Sequence, residues 1–137
     1  MEEKCIKLVK VRDGDMQSDL YAEEISPETF RLLENHLFNY NLTYGTIIKT
    51  AIRDEAPEFL SIQSKSPYVT KRYLLDRKFS SEEWTEVTKI LDEGGYSEVS
   101  MGGIFIVNLV SEFQLVRFLE LVRSYGIVPV EFVDGPS

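Results

Sequence analysis

Two segments of the second half start helices in the same way, and that repetition constrains the fold more than any other feature. In Phe79-Ser80-Ser81-Glu82-Glu83-Trp84, Ser80 is placed to accept from the Glu83 backbone N–H while the Glu83 carboxylate reaches back to the Ser80 N–H. Phe79 and Trp84 occupy the positions of a hydrophobic staple around that cap. Val110-Ser111-Glu112-Phe113-Gln114-Leu115 repeats the arrangement, with Ser111 as cap, Gln114 at the box position, and Val110 and Leu115 as the staple. Trp84, Val87, Thr88 and Leu91 form the stripe of the first helix, and Leu115, Phe118, Leu119 and Val122 that of the second. Gly94-Gly95 and Gly126 supply the left-handed stops, and Arg123 suits the negative end of its helix.

The segments between read as strands. Residues 68–75 are rich in β-branched and aromatic side chains and follow Pro67, while residues 96–101 and 104–110 flank Gly102-Gly103, a tight-hairpin signal. Residues 127–133 form a last run. The order strand, helix, strand, strand, helix, strand predicts a ferredoxin-like βαββαβ half over residues 67–137. Residues 104–110 are apolar on both alternations, so this strand is expected to be buried on both faces, by the N-terminal half or by a partner chain.

The N-terminal half, residues 1–64, reads as short strands over 4–11, 19–24, 44–53 and 59–63, with a turn at Arg12-Asp13-Gly14-Asp15. Ser64-Lys65-Ser66-Pro67 is the linker candidate, although the two halves can also be one compact domain. Residues 26–38 conflict. Ser26 as cap, Pro27 at the first helical position, and Phe30, Leu33 and Leu37 on one side favour a helix; Thr29-Phe30-Arg31-Leu32-Leu33 also reads as a strand returning from a turn at Pro27.

Leu20-Tyr21-Ala22-Glu23, then Phe30-Arg31-Leu32, then Leu42-Thr43-Tyr44-Gly45 resembles a family of short bacterial proteins catalogued as a domain of unknown function. That family has a Leu-Trp-Ala-Glu-like opening, an aromatic-Arg-Leu strand and an aromatic-rich loop ending in Tyr-Gly. The spacing from Glu23 to Tyr44 matches without gaps, and the Ser66-Pro67-Tyr68 strand and the Gly102-Gly103 hairpin also fit. Tyr21 stands where Trp is usual, and His36 stands where the family tends to have proline. The resemblance implies a small β-barrel-like N-terminal half packed on the ferredoxin-like half, an α+β protein, with residues 29–33 a strand. It implies no established activity.

Composition narrows the function classes. The 137 residues carry 15 Lys+Arg against 23 Asp+Glu, a net charge of −8, spread over both halves with no charged tail. Such a chain repels phosphate backbones, so nucleic acid is not an expected partner. It suits a basic protein, which long-range attraction draws in. No apolar run reaches the roughly 20 residues of a membrane helix. One cysteine makes no internal disulfide, and Met1-Glu2-Glu3-Lys4-Cys5 lacks the pattern of a signal peptide, so the expected location is cytoplasmic.

No catalytic constellation emerges, and no cofactor or metal is expected. A single histidine excludes relays and metal sites built on histidine pairs. His36 reads as a loop or packing histidine and Cys5 as a small core residue. Asp13-Gly14-Asp15 lacks the staggered oxygen ligands of a calcium loop, and the Gly-Gly pairs lack the setting of phosphate loops. Binding remains. Phe38, Tyr40 and Tyr44 share a loop with Asn35, Asn39 and Asn41, a mixture suited to an interface and equally to a packed lid. Asp54, Glu55 and Glu58 flank Pro57 in an expected exposed acidic turn. The resulting expectation is a non-catalytic protein-binding protein, an immunity protein neutralising a basic toxin such as a nuclease, with Asp13, Asp15, Tyr40, Tyr44, Asp54, Glu55 and Glu58 as contacts. The alternative is a small-molecule-binding regulatory domain using a sheet face or a seam as its pocket.

Overall fold

In the computed structural model the described residues are 5–37, 39–99 and 103–132, and the side chain of Asp13 lies outside them. The chain divides into two compact units, Met1–Pro67 and Tyr68–Ser137.

The first unit is a closed five-stranded meander barrel of β1 (Ile6–Asp13), β2 (Met16–Ser26), β3 (Thr29–Leu32), β4 (Ile47–Arg53) and β5 (Ala56–Ser64). Successive strands pair antiparallel, and closure comes from β1 lying parallel to β5 at Lys10 and Glu58. A closed sheet has no free edge. Val9, Val11, Leu20, Ala22, Phe30, Leu32 and Ile48 fill the interior, as strand alternation requires, and Leu42 joins them from the β3–β4 connection.

Residues 29–32 are strand, the reading the resemblance favours over helical periodicity. Glu28 turns the chain with φ of +64°, and β3 then pairs on both sides, with Phe30 opposite Glu24 and Ile48. A helix there would leave the backbone groups of β2 and β4 without partners, and this tertiary demand overrides the apolar spacing. Of the two residues weighed singly, the Cys5 expectation is corrected and the His36 one holds. Cys5 is exposed ahead of β1, its carbonyl accepting from the Glu24 N–H at 2.8 Å, so it is no core residue. His36 is buried as a loop brace: its Nδ1 accepts from the Asn39 N–H and its own N–H donates to the Leu42 carbonyl, both at 2.8 Å.

The second unit contains β6 (Val69–Leu75), α1 (Ser81–Leu91), β7 (Gly95–Val99), β8 (Ile104–Leu109), α2 (Glu112–Ser124) and β9 (Pro129–Phe132). The sheet order is β7-β8-β6-β9 and every pairing is antiparallel. Tyr73, Phe105, Val107 and Leu109 from the sheet meet Val87, Ile90, Leu91, Leu115, Phe118 and Val122 from the helices in one core. Strand β8 is buried from Phe105 through Leu109, as its two-sided apolarity requires.

Ser80 and Glu83 complete the reciprocal box at the start of α1. The second cap is only half of one. Ser111 accepts from the Gln114 N–H, but the Gln114 side chain turns elsewhere: it accepts from the Val110 N–H at 2.7 Å and donates to the Ile90 and Gly94 carbonyls at 2.8 and 3.0 Å. Gln114 thereby satisfies orphan carbonyls at the end of α1 and ties the two helices together. At the β7–β8 hairpin Gly103 has φ of +81°, whereas Gly102 lies outside the described residues.

Candidate ligand-binding pocket

The staple that starts α1 also builds a cavity. Phe79 and Trp84 stack at a tilt with ring centroids 5.9 Å apart, and both make T-shaped contacts with Phe105 on β8, at 5.8 and 6.1 Å with interplanar angles of 77° and 86°. Edge-to-face geometry is the favoured arrangement of aromatic quadrupoles, so the three rings hold one another in place. Phe105 is anchored from behind by Phe118, stacked at 5.9 Å and 9°. The rings form one side of a cavity of about 620 Å³, completed by Leu75, Arg77, Lys78, Val99 and Gly103. That volume lies in the range of small-molecule sites. Trp84 is 38% and Val99 65% exposed, so apolar surface is left open to a ligand.

The rim is braced by charge. Both terminal nitrogens of Arg77 grip the Glu83 carboxylate, at 2.7 and 2.8 Å, and Nη2 also donates to the Tyr125 carbonyl at 2.8 Å. Glu83 accepts from the Ser80 N–H at 2.8 Å as well. The Arg77 guanidinium, with the Ser80 backbone N–H, holds the Glu83 carboxyl down at about 2. The segment 77–80 is thus fastened to the first turn of α1, which sets Phe79 over the cavity.

The residues expected to bind a partner lie in the barrel and do not form one surface. A meander sends its β1–β2 and β3–β4 connections to one end and its β2–β3 and β4–β5 connections to the other. Asp15 is exposed in the first turn, and Asp13 ends β1 opposite Met16. Tyr40 and Tyr44 are half-buried in the β3–β4 connection, where the Tyr44 N–H donates to Asn35 Oδ1 at 2.8 Å and its carbonyl accepts from Ser66 Oγ at 2.6 Å. Asp54 and Glu55 form the exposed β4–β5 turn with φ of +51° and +66°, the conformation of a two-residue hairpin.

Glu58 departs from expectation. It lies in β5, 6% exposed, and not in an exposed acidic turn. Its carboxylate accepts from Arg12 Nε at 2.6 Å and sits 3.3 Å from Arg53 Nη1. The carboxylate thus joins β5 to Arg12 of β1 and Arg53 of β4.

Sequence reasoning placed Phe79 and Trp84 correctly as a staple but overlooked Leu75, Arg77, Lys78, Val99 and Phe105 as its companions. The available signal was a lone tryptophan at a helix start next to Arg77-Lys78. Among the described residues no group of three or more His, Cys, Asp or Glu could hold a metal ion, and no helix is long and apolar enough to cross a membrane.

No protein-family model matches the sequence, and no curated protein matches it either. A solved structure described as a novel crystal structure of a hypothetical protein from Neisseria gonorrhoeae is similar in fold, with a TM-score of 0.62 over 100% of this chain and 99% of that one. At 16% identity the likeness is one of fold alone.

Proposed function

We propose that this chain is a non-catalytic binding protein whose second unit takes a small apolar molecule between Phe79, Trp84, Phe105 and Val99. The observation that carries this reading is the three-ring cavity, with an exposed tryptophan and valine at its mouth. We read the second unit as ferredoxin-like, since the chain order is βαββαβ and β6 lies between β8 and β9. The test uses N-phenyl-1-naphthylamine, a neutral apolar fluorophore. Excitation of Trp84, the single tryptophan, should produce saturable emission from the bound probe. Val99→Phe, which fills the mouth without adding a tryptophan, should abolish it. Absence of saturable transfer, or transfer unchanged by Val99→Phe, overturns the reading.

A second reading is protein binding: a cytoplasmic immunity-type inhibitor of a basic toxin such as a nuclease. It is favoured by the net charge of −8 together with Asp15, Asp54 and Glu55 exposed in hairpin turns. Affinity capture of the tagged protein from its native host at low salt, followed by mass spectrometry, tests it. A stoichiometric basic protein released by salt supports the inhibitor, and none retained overturns it.

A further inference from the structure

We infer that the ligand of this cavity is a monoanion with an apolar body, a small carboxylic acid whose carboxylate meets the Lys78 ammonium; this rests on the pocket reading above. Among the described residues that line the cavity, two are cationic, Arg77 and Lys78, and none is a carboxylate. Arg77 is already neutralised. Its bidentate grip on Glu83 and its bond to the Tyr125 carbonyl occupy its terminal nitrogens. Lys78 differs: its carbonyl accepts from Arg77 Nη1 at 3.0 Å, while its ammonium has no hydrogen bond or ion pair among the described residues.

The neighbouring acid, Asp76, accepts from the Val128 N–H through Oδ1 at 3.0 Å, and its charge acts on Arg77. It forms no ion pair with Lys78, so among the described lining residues the Lys78 ammonium is the cation left for an anion. An unpaired ammonium beside an apolar wall favours a ligand with one negative end. Leu75, Phe79, Trp84, Val99 and Phe105 give the rest of the lining and present hydrocarbon and ring faces, with the indole N–H the one polar group among these side chains. A ligand with one charged end and an apolar remainder matches that distribution. A dianion or a polyol would lose hydration along the apolar wall without recovering it.

Three probes of matched shape test this: 4-phenylbutyrate, 4-phenylbutanol and 4-phenylbutylamine, each titrated against Trp84 emission. The acid should bind most tightly and the amine least, with the acid favoured over the alcohol by about threefold to tenfold, as for a contact to a partly exposed charge. Raising the salt concentration should shrink that ratio. Lys78→Gln should bring the acid down to the alcohol while leaving the thermal melt unchanged, because Lys78 is exposed. Val99→Phe should abolish binding of all three. Equal affinity of acid and alcohol, or an acid preference that survives Lys78→Gln, overturns the inference and leaves the pocket standing. Trp84 emission unmoved by any of the three overturns the pocket itself.

Discussion

Arg77 Nη1 and Nη2 bind the two oxygens of Glu83 at 2.7 and 2.8 Å, so a residue before α1 is locked to the carboxylate that also caps α1. Glu83 therefore holds the helix start and the cavity rim at once. Its folded carboxyl sits at about 2, below the ordinary value of 4.5. A depressed carboxyl contributes stability that is fully present above the unfolded value and lost as pH falls through the folded one. Melting temperatures of the native protein and Glu83→Gln should differ clearly at pH 7. The gap should narrow below pH 4.5 and close near pH 2, as thermal unfolding followed by circular dichroism will read.

Ser80→Ala tests the other half of that box. The Glu83 N–H loses the Ser80 Oγ acceptor, 3.2 Å away, and the cost should be about 1 kcal/mol. Ser80→Asp, which restores an acceptor at the cap, should recover most of it in urea unfolding.

In the barrel, Glu58 is held by two arginines unequally. The hydrogen bond from Arg12 contributes most to keeping its carboxyl below the ordinary range, with Arg53 a weaker influence. Arg12→Gln should lower the urea midpoint more than Arg53→Gln, and both differences should fade as acid protonates Glu58. Equal effects would mean that the 2.6 Å bond to Arg12 holds Glu58 no more firmly than the 3.3 Å approach of Arg53.

Gly95 and Gly126 separate backbone strain from collision. Both have positive φ, +119° and +79°. A Cβ on Gly95 would strike the Asn108 carbonyl oxygen across the β7–β8 ladder, whereas one on Gly126 meets nothing within 4 Å. Gly126→Ala should cost about 1–2 kcal/mol, the strain of a left-handed alanine. Gly95→Ala should cost more, because the ladder itself must part, and denaturant melts of the two variants will rank them.

Phe118 is fully buried beneath Phe105, stacked 5.9 Å away. Phe118→Ala should destabilise the second unit by about 3–5 kcal/mol, and it should also weaken binding of the naphthylamine probe by freeing Phe105 to turn. Unchanged probe binding in a variant that is still folded would show that Phe105 needs no support from behind.

The parts that could be read from the residues are those whose partners lie a few positions away. Ser80 and Glu83, Phe79 and Trp84, and the order of strands and helices in residues 67–137 all rest on spacing, and each is present in the structure. The Ser111 box was legible only by half, because Gln114 finds better partners in Ile90 and Gly94, 24 and 20 positions back in the chain. Residues 29–32 carried a helical spacing that pairing with β2 and β4 overrode. Glu58 resembled its acidic neighbours, but the folded barrel joins it to Arg12.

The Ser80 cap, the apolar stripes, the turns and the acidic balance follow from the residues alone, since these depend on local hydrogen bonds and on composition. The closure of the barrel through β1 and β5, the burial of Glu58, and the meeting of Phe79 and Trp84 with Phe105 arise only in the folded chain. Each joins residues that are neighbours in space and not in the chain, and which of many strand pairings brings them together is settled by packing the whole unit and satisfying its backbone at once.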